Sequence, residues 1–148
     1  MKNFTRILRI VIKIKIFLII SFIVFMGFKF TFAVSEQELV GKSEKELYDM
    51  MVRYYKRFED REAVKVGTYI IKNLNNKNKE VFYVLIEIFI RNIAAASDKQ
   101  KIYNEIVKYC DYIINNVDFY DARAYYYKGW VYFQNGDYAS AEFNLKKS

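Results

Sequence analysis

The chain has 148 residues, of which 28% are charged, 53% hydrophobic and 19% aromatic, and it carries no His, no Pro and a single Cys. That is enough apolar chain to bury a core; lack of His removes the usual nucleophilic triads and His-ligated metal sites, and one Cys leaves neither an internal disulfide nor an all-cysteine zinc site. The net charge of +7 is local: Lys2, Arg6, Arg9, Lys13, Lys15 and Lys29 face no acid within residues 1–33, and the remaining 115 residues are almost neutral, with no basic block to follow a phosphate backbone. Nucleic-acid binding is therefore not expected.

The first element in chain order is a targeting segment over residues 1–35. Five positive charges precede an apolar run from Ile16 to Phe28, which is too short to cross a hydrocarbon core of about 30 Å and fits the apolar region of a secretory signal peptide. Small residues then permit a cut after Ala33 or after Ser35. The alternative is a retained membrane anchor from Ile16 to Val34, with Lys29 reaching the interface. No Cys follows the run, so lipid attachment there is not expected, and the basic end places the body outside the cytoplasm, in a periplasm, an envelope or a secreted setting.

Residues 36–148 read as helix. Absence of Pro and scarcity of Gly favour long helices over turn-rich sheets. Capping boxes are expected at Ser43–Glu46 and Ser97–Gln100, with a third candidate at Ser35 for a short leading helix. Six helices follow, near 44–57, 60–74, 79–96, 98–116, 121–134 and 137–147. Asn-rich stops lie at Asn75-Asn76 and Asn115-Asn116, since Asn tolerates the left-handed conformation that ends a helix. Asn135-Gly136-Asp137 makes the last turn, with Asp137 as N-cap. The second helix of the middle pair packs through Ile106, Cys110, Ile113 and Val117, or one residue on through Val107 and Ile114. Cys110 is read as a buried small hydrophobe, an intermolecular disulfide being the other reading.

The closing segment, Ala122 to Lys147, resembles a tetratricopeptide repeat. Tyr125, Gly129 and Tyr132 take the first-helix places, Gly136-Asp137-Tyr138 the turn, and Ala141 and Leu145 the second-helix places, while Lys128 departs from the usual Leu. Leu47, Met51, Tyr54 and Ala63 repeat this spacing, and Val81, Leu85 and Ile88 follow a further 34 residues on. Extra length around Ala94–Lys101 implies longer helices or a longer turn in the middle pair. The resemblance implies an all-α fold, a right-handed superhelix of about three helical hairpins (near 44–77, 78–120 and 121–148); an unrelated six-helix bundle is the alternative.

In this family the first helices line a concave groove. Carried over residue by residue, the partner-binding places include Tyr48, Tyr55, Phe82, Phe89, Arg123, Tyr126, Trp130 and Phe133, with Lys45 and Lys56 at the edges. Such a wall suits an extended peptide or an amphipathic helix of a partner protein. Two other readings stand beside it. The aromatics follow the overall composition, or Phe82, Ile86, Phe89 and Ile90 are covered by residues 36–41 or by a second subunit. Tyr48, Val52 and Tyr83 stand where the terminal-carboxylate clamp of chaperone-tail receptors needs polar or basic residues, so that ligand is not implied. Partial exposure of Tyr138, Ala141 and Leu145 on the final helix implies self-association, a partner there, or a chain that is a truncated product.

No cofactor, metal ligand set or Gly-rich phosphate loop is legible. Acid pairs such as Glu44/Glu46 and Glu59/Asp60 suit helix starts, and Glu62 or Glu87 would be the acids of an enzymatic reading that has little else behind it. The expected role is a non-catalytic, exported interaction or scaffolding module; the alternative is a membrane-tethered regulator or envelope-complex subunit.

Overall fold

The structure is a computed structural model. It describes residues 34–74 and 77–148. Residues 1–33 of the leader or anchor expected over 1–35, and the Asn75-Asn76 stop, lie outside the described residues. Among the described residues there is no strand, and no helix is long and apolar enough to cross a membrane.

Six α-helices succeed one another: α1 (Glu44–Lys56), α2 (Asp60–Asn73), α3 (Lys79–Asn92), α4 (Lys99–Asn116), α5 (Ala122–Gln134) and α6 (Tyr138–Leu145), with short 3-10 turns at Glu36–Glu38 and Ile93–Ala95. Their starts follow from side-chain caps. Ser43 Oγ accepts from the Glu46 amide, and Glu46 Oε2 accepts from the Ser43 amide at 2.8 Å, closing the expected box. Asp121 caps α5 and Asp137 caps α6. The box expected at Ser97 does not form. Asp98 is the N-cap instead, accepting from Lys101 N at 3.0 Å, and its charge also suits the helix dipole. Ser35 makes no side-chain cap, and the turn behind it is 3-10. Helix α3 stops at Asn92, short of the expected residue 96. The Asn92 amide donates back to Ile88 O at 2.8 Å and across to Asp60 at 2.6 Å, which draws the side chain into local bonds that compete with continuing the helix.

Each helix packs against its chain neighbours, and α1 also meets α3. The core has two parts. Val34 and Leu39 of the leading segment join Leu47 and Met51 of α1, Ala63, Val66 and Ile70 of α2, and Val81, Val84, Leu85 and Ile88 of α3. The second part joins Phe82, Tyr83 and Ile86 of α3 to Ile106, Cys110, Ile113 and Ile114 of α4, and to Ala124, Tyr125 and Val131 of α5. Helix α3 belongs to both, which explains why its apolar residues run nearly all the way round it. On α4 the buried stripe is Ile106, Cys110 and Ile113, with Ile114 beside it. Burial pushes the Cys110 thiol up to about 12.

Helices α1 and α5 correspond place by place at an offset of 78 positions. Their N-caps are Ser43 and Asp121, and both run 13 residues. Leu47 and Tyr125 are buried at equivalent places, as are Ala63 and Ala141. Left-handed residues end both helices, Phe58 at φ +60° and Gly136 at φ +77°. The closing bonds also correspond: Glu59 N to Tyr54 O and Asp137 N to Tyr132 O, each at 3.0 Å. The close crossings keep one large and one small partner but exchange them. A Cβ on Gly129 would lie 2.7 Å from Leu145 Cγ, whereas one on Gly67 would lie 2.7 Å from Met51 Cε.

Candidate functional site

The first helices of the three pairs, α1, α3 and α5, are joined by one polar and aromatic network. Glu87 of α3 is its centre. Tyr55 of α1 donates its hydroxyl to Glu87 Oε2 at 2.8 Å, and Tyr127 of α5 donates to Oε1 at 3.4 Å. The Arg123 guanidinium pairs with the same Oε1 and, at 3.4 Å, with Glu80. It also lies over the Tyr83 ring, 4.0 Å from the centroid. The hydrogen bond to Glu87, followed by burial, holds the Tyr55 phenol above its ordinary range. Tyr48 is raised by burial, with Glu80 the next cause. The carboxylates and the guanidinium therefore largely answer one another, and what this face offers outward is ring surface.

Beneath the network lies a buried anchor. Asp121 is 6% exposed. It accepts from the Ala124 amide at 2.9 Å, from the Tyr83 hydroxyl, and from Lys79 Nζ at 2.6 Å. Burial alone would raise its pKa; the bonds from Lys79, Tyr83 and Ala124 overcome this and hold the carboxyl below the ordinary value. The anchor fixes the start of α5 against α3, and so fixes where Arg123 points.

At the other edge Arg91 lies between two rings, 4.7 Å from the centroids of both Tyr55 and Phe58, and pairs with Asp60 of α2. Phe58 is 75% exposed and adopts its left-handed backbone without a glycine's freedom.

The expected wall is brought together only in part. Tyr48 and Tyr55 are half-buried on α1, and Arg123 lies in the network. Tyr126 and Phe133 are 51% and 54% exposed on α5, with half-buried Trp130 between them, its ring edge-on to Tyr103. Phe82 is corrected. It is 1% exposed and stacks on Tyr112 of α4 at 4.8 Å, so it belongs to the core and is not offered to a partner. Phe89 is half-buried and stacks on Tyr109 of α4. Helix α3 is turned one position, about 100°, from the register that the 34-residue spacing predicts, so Phe82, Ile86 and Phe89 face α4 while Glu80, Tyr83 and Glu87 face α1 and α5. Residues 36–41 do not cover Phe82 or Ile86. Leu39 joins the core of the first pair, and α4 does the covering. On α6, Tyr138 and Leu145 are 66% and 40% exposed, whereas Ala141 is buried.

Glu80 and Tyr127 are absent from the face that the sequence predicts, Tyr83 enters it only as a residue unsuited to a carboxylate clamp, and Glu87 enters only as an enzymatic acid. One signal was available. Glu80 and Glu87 are the only acids of α3, seven residues apart, hence on one side of an otherwise apolar helix. Among the described residues no cluster of acids and Cys is placed to hold a metal. No family model, no curated protein and no solved structure matches the chain.

Proposed function

We propose that this protein is an exported, tetratricopeptide-like interaction module that docks a partner protein on the aromatic face of its first-position helices, without chemistry of its own. The observation that carries the reading is the stripe on α5: Tyr126 and Phe133 stand half in solvent beside Trp130, next to a network that ties α1, α3 and α5 together. Exposed aromatics held on rigid helices give large contact area at little entropic cost. The superhelical stacking is supported by the 78-position match of caps, turns and buried residues between the first and last pairs. Export is supported by the basic and apolar leader in the sequence. Val34 is 5% exposed, so a cut after Ala33 leaves the core whole, whereas a cut after Ser35 removes a core side chain.

Crosslinking capture with the full chain and with its Tyr126→Ala/Phe133→Ala variant tests the docking reading. Both substitutions are at exposed positions, so folding is preserved. Loss of the captured partner with the variant is the expected result; equal recovery removes the reading. N-terminal sequencing of the mature product tests export, with a start at Val34 expected and an intact Met1 pointing to the tether.

A further inference from the structure

The stripe has a counterpart inside the same chain. Seventy-eight positions earlier, Tyr48, Val52 and Tyr55 take the places of Tyr126, Trp130 and Phe133. Those three are half-buried and pack on the core part that contains Val84, Leu85 and Ile88 of α3. Helix α1 meets α3 directly, and Tyr55 reaches Glu87 across that contact. Among the described residues no helix lies on the α5 stripe in the way that α3 lies on α1. Resting on the docking reading above, we infer that the α5 stripe takes an amphipathic α-helix of the partner, seated as α3 is seated on α1, and not an extended strand.

Two differences between the seats define that helix. At the α1 seat Gly67 leaves room for Leu85, whose Cδ2 would lie 3.0 Å from a Cβ there. The equivalent position is Leu145, a large side chain 40% exposed. The docked helix therefore carries a small residue, Ala or Gly, where α3 carries Leu85. The Tyr55 hydroxyl donates a hydrogen bond into the seat, and α3 supplies Glu87 as the acceptor. Phe133 has no hydroxyl, so the docked helix carries an apolar residue where α3 has Glu87; a carboxylate there would be desolvated without a partner. The ligand is thus an aliphatic face interrupted by one small residue, with its acids turned away from α5.

Trp130 is the sole tryptophan and lies on the stripe, so its emission reports docking. The probe is a synthetic peptide copying residues 78–92, with Leu85→Ala and Glu87→Leu, and with Phe82, Ile86, Phe89 and Ile90 replaced by Gln or Lys for solubility. The full chain is titrated with it. A saturable blue shift is expected, at least tenfold weaker in the Tyr126→Ala/Phe133→Ala variant and abolished by Pro at the central position of the peptide. Equal binding of the Pro peptide, still dependent on Tyr126 and Phe133, overturns the helix inference while leaving the docking reading intact. No shift with any peptide overturns the inference also. Emission that shifts with protein concentration alone assigns the stripe to a second copy, and overturns it too.

Discussion

Leu145 lies over Gly129 so closely that a single Cβ on the glycine would stand 2.7 Å from Leu145 Cγ and 3.2 Å from the Leu145 amide nitrogen. The last two helices cross at that point, and their approach is set by the absence of a side chain on one of them. The first two helices use the same device with the roles exchanged, Gly67 lying beneath Met51.

Gly129→Ala is expected to destabilise the fold by about 1–3 kcal/mol, because the clash is with the branch carbon Leu145 Cγ, with the Leu145 amide close behind it, even though alanine is the better helix former by roughly 1 kcal/mol. Leu145→Ala in the same chain is expected to recover part of this loss. Gly67→Ala is expected to cost far less, since its nearest neighbour is the free end of a flexible Met51 side chain. Urea unfolding of the three variants measures the difference; equal losses at Gly67 and Gly129 would count against this account of the crossings.

Phe58 closes α1 in a conformation that its counterpart Gly136 adopts without strain. Left-handed backbone costs a non-glycine residue about 1–2 kcal/mol, and an exposed contact with Arg91 returns about 0.5–1 kcal/mol. Phe58→Gly is therefore expected to leave the melting temperature unchanged or raise it, and Gly136→Phe to lower it. Thermal melts followed by circular dichroism decide; a marked fall for Phe58→Gly would mean that the ring is structurally needed.

Asp121 couples stability to acid. Its folded pKa lies below the ordinary carboxyl value, so its contribution is fully present above about pH 4 and is lost as pH falls through the folded value. The wild type should lose stability below pH 4, and Asp121→Asn, less stable at neutral pH, should lose less over the same interval. Asp121→Ala should cost about 2–4 kcal/mol, because it removes the α5 cap and leaves the buried Tyr83 hydroxyl without its acceptor. Denaturant midpoints from pH 2.5 to 7 read this out, and parallel acid limbs for wild type and Asp121→Asn would refute it.

Much of the architecture was legible from residues alone, for identifiable reasons. Caps such as Ser43 and Asp137 act within three residues of themselves, so position in the chain is enough to find them. Asp98 displaced Ser97 because two adjacent residues could each start the helix, and the outcome turns on the chain before them. Positions on α1 were the more legible, because polar residues alternate with its apolar stripe, whereas on α5 rings occupy most places and Tyr127 was not told from its neighbours. The face was not legible on α3, which packs in both core parts and carries apolar residues nearly all round. There the rotation of the helix is settled by neighbours distant in sequence, Asp121 and Arg123 among them. The large-for-small exchange at Gly67 and Gly129 was hidden for a related reason: the nearest neighbour of each glycine is a side chain 16 positions away.

The burial of Val34 and Leu39 makes the leading segment part of the folded body, since both join the core that holds Leu47, Met51, Ala63 and Ile70. Proteolytic trimming of that end past Leu39 therefore strips side chains from the interior, and should be felt as lost stability although it touches no α-helix.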